Sequence, residues 1–517
     1  MTVLSCEESV NVLTATATDL QEKLSISALT SVDLVKAYLE QIERHNHNGF
    51  RLNAVISTPS VEHLDNERIE RNVRSPLHGI PILLKDNIMT EASLGMDTTS
   101  GAYAFLGLKA KKNAAIVDKL LDAGLIIIGK ANLSEWAGFK GYGIPGGLSA
   151  VGRQKQTPYV AGGYKQEDRM IGHSNCCGSS SGSAAGVTAG FAPLTIGTED
   201  DGSIVQPSGR CSLYGLKTTV GDVSTEGTSL LSPFTDSLGP TTRSSGNLSM
   251  LLGILLQKDF SPLLMSSWEG LKVGFVDPTT WYIREGPWIL FHKSWIRRFV
   301  TPLLFADIAE ARDLIAKGGA EVVPDVPLIS YDVLQFEGSD GLDQIWNHDS
   351  ARHFPSFVEC YINFSVKSIE DLINFNSEHA EKALSGGFEK PQGLLQDSVE
   401  RQNDLSPAKY EEAKAFIRHK ARVEGYERTF MNYDIDILAG PLDSRMGSIA
   451  AAAGLPSATA PLGYADSYNG RAYGLSITMG AGNEEKLVQF MSAWSASHPG
   501  LPKPPPQMAN SKARSNL

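Results

Sequence analysis

Helical periodicity is clear in the first fifty residues. Thr30 and Asp33 have the spacing of a helix-capping box, in which each side chain bonds the other residue's backbone N–H. Leu34, Tyr38 and Ile42 then recur every four residues and so lie on one helix face. This pattern predicts an amphipathic helix that begins after Thr30 and packs one side against a core.

The next elements alternate between strand and helix. Ile80–Leu84 and Leu125–Ile128 are short apolar runs typical of buried strands, with Pro81 favouring a strand start or an edge. Between them, 114–123 reads as a helix that ends at Gly124. Strand, helix and strand in this order indicate an α/β layered domain.

Later segments extend this pattern. A helix of small residues is predicted at Ser183–Gly190, strands at 435–440 and 472–479, and a helix at 484–497. Residues 260–430 are less regular and are interpreted as a variable, substrate-shaping region. We expect an N-terminal segment 1–14, one large domain over 15–497, and a proline-rich, disordered tail over 498–517.

Composition and charge exclude several classes of protein. The 517 residues include 58 acidic and 46 basic side chains, a net charge of −12, which argues against a nucleic-acid partner. No apolar stretch is long enough for a membrane span, and the N-terminus lacks the pattern of a secretory signal. Five cysteines without CxxC spacing favour a reducing, cytoplasmic location. The terminal Ser515-Asn516-Leu517 differs from the peroxisomal Ser-Lys-Leu signal in its middle residue.

Two segments carry candidate chemistry. Lys85 follows the apolar strand 80–84, and a lysine in apolar surroundings loses its proton more easily and acts as a base. Three serines stand between Gly178 and Gly182, and Ser203 follows a second glycine-containing loop. A lysine and two serine loops are the parts of a Ser-Lys acyl-transfer site. A solvated lysine and a flexible serine loop are the alternatives for each segment taken alone.

Together these segments resemble the amidase signature family. The matching stretches occur in order over about residues 15–497, and the Asn132-to-Trp136 run and the Asp-Gly-Ser nucleophile loop are most similar to the peptide-amidase subgroup. The main stretches are 77–88, 129–136, 177–185, 197–204 and 214–218, with weaker ones at 236–240 and 453–457. The resemblance implies one α/β domain with a central mixed sheet flanked by helices on both faces.

The resemblance also implies roles for individual residues. Ser203 corresponds to the nucleophile, Lys85 to the base, and Ser179, preceded by a cis peptide bond, to the serine that relays the proton. The implied reaction is hydrolysis of a carboxylic amide to acid and ammonia or amine through an acyl-enzyme, without metal or cofactor. The implied oxyanion hole consists of the backbone N–H groups of Asp200, Asp201, Gly202 and Ser203.

Some positions depart from the family pattern. Cys177 and Ser181 replace glycines of the serine loop, and Gln206 stands where arginine or a small residue is common. Before the nucleophile many members have Thr-Gly-Gly or Thr-Asp-Gly, whereas this chain has Asp200-Asp201-Gly202. The direction of the Asp200 side chain decides whether this carboxylate beside the oxyanion hole lowers activity. Cys176 and Cys177 are interpreted as buried structural thiols with nothing nearby to lower their pKa.

Alternatives of other classes remain at this point. Gly178–Gly182 also matches the G-x-S-x-G elbow of an α/β-hydrolase esterase, with Ser180 as nucleophile. The same fold also occurs in amidotransferase subunits of larger complexes. If the protein is instead a free enzyme, we expect a monomer or homodimer. Its substrate would be a small-molecule or peptide amide, including a specialised-metabolite amide. Trp136 and Ser180 are predicted to bind substrate. Trp281, Trp288 and Trp295 recur every seven residues. This spacing fits either core packing of one helix face or a wall of the substrate pocket.

Overall fold

A computed structural model of the chain describes residues 10–60, 73–166, 173–282, 301–384 and 386–511. Its largest feature is a mixed sheet of eleven strands. Four further short strands form two separate hairpins, β4 with β5 and β11 with β12. The strands are β1 Val55–Ser57, β2 Pro81–Lys85, β3 Ile126–Ala131, β4 Leu148–Ser149, β5 Arg153–Gln154, β6 Leu194–Glu199, β7 Tyr214–Lys217, β8 Ser237–Thr242, β9 Lys272–Phe275, β10 Glu321–Val323, β11 Gln335–Phe336, β12 Ser339–Asp340, β13 Ile437–Pro441, β14 Ser457–Tyr464 and β15 Ala472–Met479.

The order of strands in the large sheet is β1-β3-β2-β6-β8-β7-β14-β15-β13-β9-β10. β2 is parallel to both β3 and β6, and β9 is parallel to β13 and β10, whereas the other pairs are antiparallel. The predicted α/β class with a central mixed sheet is therefore confirmed. Pro81 begins β2, as predicted, but β2 lies inside the sheet and not at its edge.

Helices flank this sheet within a single domain. In chain order they are α1 Ala17–Ser25, α2 Ser31–His45, α3 Ala115–Asp122, α4 Ser181–Thr188, α5 Val205–Arg210, α6 Ser245–Leu256, α7 Pro278–Trp281, α8 Thr301–Lys317, α9 Gly341–Val358, α10 Ile369–Glu378, α11 Ala380–Ala383, α12 Gly393–Arg401, α13 Pro407–Arg418, α14 Arg428–Tyr433, α15 Met446–Ala453, α16 Glu484–Ser497 and α17 Pro506–Ser511. A π-helical segment, His419–Glu427, joins α13 to α14.

The helices predicted from periodicity form for the expected reasons. Thr30 and Asp33 make both hydrogen bonds of a capping box at the start of α2. Leu34, Tyr38 and Ile42 are buried along its inner face. α4 consists of small residues, all buried, and therefore packs closely against β2, β6 and β8. A Cβ on Gly182 would overlap the backbone of Asn132, so this approach requires glycine.

The C-terminal tail differs from expectation, and some predictions concern residues that the structure does not describe. The tail predicted to be disordered contains α17, and Met508 within it is buried. The Tyr159 hydroxyl also donates to the Lys503 carbonyl, so this part of the tail is ordered up to residue 511. Trp281 is partly buried against a second apolar cluster, whereas Trp288, Trp295 and the terminal Ser515–Leu517 lie outside the described residues.

The outer boundaries of the domain, 15 and 497, stay a prediction. Among the described helices, none is both long and apolar enough to cross a membrane.

Candidate active site

Parallel pairing of β2 and β6 brings Lys85 to its partners. Leu84 is in register with Ile196, so both strands end at the same edge of the sheet. The fully buried Lys85 Nζ lies 2.9 Å from the Thr198 carbonyl oxygen and 2.8 Å from Thr198 Oγ1. Its third neighbour is Ser179 Oγ, at 2.7 Å. Lys85 and Ser179, which are 94 residues apart in the chain, therefore meet as predicted.

Ser179 belongs to an irregular loop that leads into α4. The peptide bond between Gly178 and Ser179 is cis, as the resemblance implied. The Ser179 carbonyl accepts a hydrogen bond of 3.0 Å from the Ser134 N–H, which fixes the loop against the segment after β3. A Cβ at Gly178 would overlap Ser134 Oγ, so a side chain there would require Ser134 to move.

Ser203 lies on the turn between β6 and α5. Glu199 is the last residue of β6. Its carboxylate accepts hydrogen bonds from the N–H groups of Ile204 and Val205 at 2.5 and 2.9 Å and so stabilises the turn. The Ser180 N–H donates to the Ser203 carbonyl at 2.9 Å and thereby joins the two serine loops. Gly202 has φ +78°, a conformation that favours glycine, and allows the sharp turn.

Backbone donors on this turn are open. Within the part of the chain that the structure describes, the N–H groups of Asp201, Gly202 and Ser203 have no hydrogen-bond acceptor. The Asp200 N–H differs, since it bonds its own carboxylate. Adjacent unpaired N–H groups on a turn next to a helix form a site for an anion or oxyanion.

Several ionisable groups are buried together at this edge. Burial lowers the pKa of Lys85 to about 8, although the charges of Asp200, Asp236 and Glu199 oppose this shift. The predicted depression of the Lys85 pKa is therefore confirmed. Burial raises the pKa of Asp200 to about 6, with Lys85 acting in the opposite direction. Burial and the charge of Asp200 hold the pKa of Asp236 well above its usual value.

The Ser203 side chain faces Asp200. Its Oγ donates to Asp200 Oδ1 at 3.1 Å, and among the described residues no hydrogen bond joins it to Ser179 Oγ. Asp201 points elsewhere and accepts a hydrogen bond of 2.7 Å from Ser448 Oγ. Of the two neighbouring carboxylates, Asp200 is therefore the one that contacts Ser203.

The two neighbouring cysteines are buried, as expected, but one part of that prediction is wrong. The Lys155 Nζ donates to Cys176 Sγ. Burial acts to raise the pKa of the Cys176 thiol, yet hydrogen bonding with Cys211 and the charge of Lys155 lower it to about 6. Cys176 has no exposed surface, so this thiolate does not reach an external substrate. Burial raises the pKa of Cys177 to about 11.

Trp136 and Ser180 occupy different surroundings. Trp136 is 8% exposed, packs against Phe105 and Phe354 at ring-centroid distances of 5.3 and 5.4 Å, and lines a cavity of about 440 Å³. Ser180 is buried, and its Oγ donates to the Thr198 carbonyl at 3.0 Å. The residues 173–180 that precede α4 form no strand, so the α/β-hydrolase elbow with Ser180 as nucleophile is not supported.

Sequence reasoning missed three residues that organise this site. Thr198 holds the Lys85 amine by two hydrogen bonds, and Asn87 in turn donates to Thr198 Oγ1 at 3.0 Å. Asp236 accepts from the N–H groups of Leu231 and Ser232 at 2.7 and 3.2 Å, and its position also influences Lys85. The available signal was that Thr198 and Asp236 lie within matching stretches of the family pattern.

Fold and site together define a class of protein. The amidase family model matches residues 33–267, which hold Lys85, Ser179 and Ser203. The native peptide amidase from Stenotrophomonas maltophilia has the same fold with a TM-score of 0.81 and 30% identity, covering 95% of this chain and 98% of that one. The chain belongs to the amidase family, and it is a hydrolase that acts on amide bonds.

The proteins with similar sequences are of two kinds, amidases and amidotransferase subunits. A probable amidase from Arabidopsis thaliana is 29% identical over 93% of this chain and 89% of its own length. A glutamyl-tRNA(Gln) amidotransferase subunit from Chlorobium phaeobacteroides is 26% identical over 87% of this chain and 92% of its own length. This amidotransferase subunit is thus similar over most of the chain, but at lower identity than the plant amidase.

Proposed function

We propose that the enzyme hydrolyses its amide through an acyl-enzyme on Ser203, activated by Ser179 and Lys85. The observation that carries this proposal is the 2.7 Å contact between Lys85 Nζ and Ser179 Oγ, with a lysine whose pKa burial lowers to about 8. A neutral amine has two protons and one lone pair. When it donates to the two oxygens of Thr198, its lone pair faces the Ser179 hydroxyl.

The reaction follows from this arrangement. Lys85 takes the proton of Ser179, Ser179 takes the proton of Ser203, and the Ser203 oxygen attacks the amide carbon. As the tetrahedral intermediate collapses, the same two groups return a proton to the leaving nitrogen, without which an amine is a poor leaving group. Water then attacks the acyl-enzyme by the same relay and releases the acid.

The open backbone donors give the oxyanion a binding site. The N–H groups of Asp201, Gly202 and Ser203 are unpaired within the described chain and lie on the turn that carries the nucleophile. One such donor contributes about 3–4 kcal/mol to the transition state in comparable sites. The Asp200 N–H, predicted as a fourth donor, contributes less because it already bonds its own carboxylate.

Covalent labelling tests the nucleophile directly. A fluorophosphonate reacts with an activated serine, so we expect one adduct, on Ser203, located by mass spectrometry of the digested protein. The label is expected to disappear in Ser203→Ala. An adduct on Ser180 instead would restore the α/β-hydrolase interpretation, and labelling of neither serine would contradict a serine nucleophile.

The apolar group of the substrate is proposed to bind beside Trp136. The cavity of about 440 Å³ is lined by aromatic and aliphatic side chains, including Trp136, Phe354, Phe357 and Leu231. Two of its lining residues carry buried polar atoms, Trp136 Nε1 and Ser350 Oγ, that have no hydrogen-bond partner among the described residues. A ligand with an aromatic or branched apolar group and a hydrogen-bonding group matches this lining.

Hydrogen bonds link the cavity beside Trp136 to the reacting groups, which supports it as the substrate site. The cavity wall at Ser229 bonds the Asn87 side chain, which bonds Thr198, the partner of Lys85. A larger cavity of about 700 Å³ is lined by other residues of the segment that contains Trp136, including Ser134 and Glu135. Its buried charges, Glu135 and Lys140, already pair with each other at 2.7 Å, so it offers less to a substrate.

A substitution in the cavity wall tests the substrate site. We expect Leu231→Ala to lower kcat/KM for an aromatic primary amide by about 10- to 100-fold, because lost apolar contacts in a pocket are worth roughly 1–3 kcal/mol. Acetamide serves as the internal control, since it does not reach the cavity and keeps its kcat/KM. Equal losses for both amides would show that the change acts through folding and not through binding.

Other predictions stay open under this proposal. Turnover by the purified chain alone would exclude a requirement for amidotransferase partners. A peptide amide, suggested by the name of the S. maltophilia relative, and a specialised-metabolite amide both belong in the first substrate panel. The monomeric or homodimeric state and the cytoplasmic location remain predictions from the sequence.

A further inference from the structure

The Asp200 side chain contacts the proposed nucleophile. Asp200 Oδ1 accepts the Ser203 hydroxyl proton at 3.1 Å, and no hydrogen bond in the described chain links Ser203 Oγ to Ser179 Oγ. A hydroxyl has one proton, so a Ser203 that donates to Asp200 does not donate to Ser179. The contact to Asp200 therefore competes with the relay that activates Ser203.

The charged groups around Asp200 differ in whether they can act as its partner of opposite charge. Asp201 lies beside it but is hydrogen-bonded to Ser448, and burial together with the charge of Asp200 raises the pKa of the Asp236 carboxyl well above its usual value. Glu199 faces Lys217, whose charge acts to lower the pKa of that carboxyl. Among the described residues, the remaining opposite charge that acts on Asp200 is Lys85.

We propose that Asp200 is a positioning residue that controls the direction of the Ser203 hydroxyl. As a carboxylate it holds the Ser203 proton away from Ser179, and as a carboxylic acid it releases that proton to the relay. This inference rests on the proposed function, because it assumes that Ser203 is the nucleophile and Lys85 the base.

The proton balance couples Asp200 to Lys85. In the resting site Lys85 is an ammonium and Asp200 a carboxylate. Transfer of one proton from Lys85 to Asp200 leaves an amine and a carboxylic acid, with the same total charge and both serines still hydroxyls. The Asp200 O–H then donates to Ser203 Oγ, the Ser203 O–H is free for Ser179, and the Ser179 O–H donates to the Lys85 lone pair. This neutral arrangement is the one that attacks the substrate.

Labelling rates as a function of pH test the inference without knowledge of the substrate. In Asp200→Asn the amide N–H₂ donates to Ser203 as the protonated acid would, and Lys85 loses a charge that raises its pKa. The neutral arrangement holds as many protons as the ion pair, so in the wild type it is lost at alkaline pH, when Lys85 is an amine beside an Asp200 carboxylate that accepts the Ser203 proton. Wild-type labelling is therefore expected to fall above about pH 8, whereas in Asp200→Asn this alkaline limb disappears. About one pH unit above that value, the variant is labelled about tenfold faster than the wild type.

Two further variants make the result specific. Asp200→Thr introduces the residue common in the family at this position and is expected to lose the alkaline limb as well, which decides the question if Asp200→Asn does not fold. Asp201→Asn removes the same charge one residue away and keeps the alkaline limb, whatever its effect on the rate.

The outcomes separate the two proposals. An alkaline limb that persists in Asp200→Asn and Asp200→Thr, or labelling slowed at least tenfold at every pH, overturns the role of Asp200. A wild-type enzyme that is not labelled on Ser203 at any pH instead overturns the proposed function.

Discussion

Ser203→Ala is expected to lower kcat for amides by at least about 10⁴-fold while the fold stays intact. The substitution removes the atom that forms the acyl-enzyme, so only binding and oxyanion stabilisation remain, and these support a weak residual rate. Its side chain donates a single hydrogen bond, to Asp200, so its loss has little effect on packing. Ammonia release and a thermal unfolding curve, measured on the same preparation, test both parts.

Ser183→Ala is the matched control for this variant. Ser183 is also buried, on α4, and its Oγ has no hydrogen-bond partner among the described residues. We therefore expect turnover close to that of the wild type. Activity of Ser203→Ala within tenfold of the wild type would exclude Ser203 as the nucleophile, even if the labelling experiment had modified it.

Lys85→Ala is expected to slow amides far more than esters. An amine leaving group needs the proton that Lys85 and Ser179 return, whereas an alkoxide needs it less. General acid–base catalysis contributes about 10²–10⁴-fold, and we expect the loss for amides to reach the upper part of this range. The comparison uses a primary amide and the methyl ester of the same acid. Equal losses for both would contradict the relay.

The pH profile gives the same test a second readout. The pKa of Lys85 is about 8, so below this pH the lysine is mostly an ammonium and has no lone pair for Ser179. The rate therefore falls at acid pH, where Lys85 and Asp200 are both protonated, and this acid limb is expected to vanish in Lys85→Ala. Lys130→Met is the control, because Lys130 is also buried with a lowered pKa but its Nζ donates to Thr98 Oγ1, away from Ser179. An acid limb retained in Lys85→Ala would assign it to another group.

The site was predictable in part because it combines local and family signals. Lys85 follows an apolar run, and the glycines around Ser179 and Ser203 indicate irregular backbone, which is where reactive side chains are exposed. The structure brings Lys85 and Ser179 into contact and lowers the pKa of the lysine, as the sequence predicted. The ordered motifs also led to the correct family, because their spacing reflects one way of folding the chain.

The errors arose where tertiary contacts decide the outcome. The proline-rich tail 498–517 was predicted to be disordered, and its described part, 498–511, contacts Tyr159 and contains α17. Cys176 was expected to have an unaltered thiol, but Lys155, which is 21 residues away in the chain, donates to it. Neither contact leaves a trace in the periodicity of the segment concerned.

The sequence by itself therefore determined which segments are helices and strands, that they form an α/β domain, and which lysine and serines are the candidates for the chemistry. These properties depend on local periodicity, glycine placement and motif order. Only the tertiary structure decided that β2 lies beside β6, so that Thr198 orients the Lys85 amine, and that Asp200 points at Ser203 and not away from it. Strand order and side-chain direction come from packing between residues far apart in the chain, and no local pattern records them.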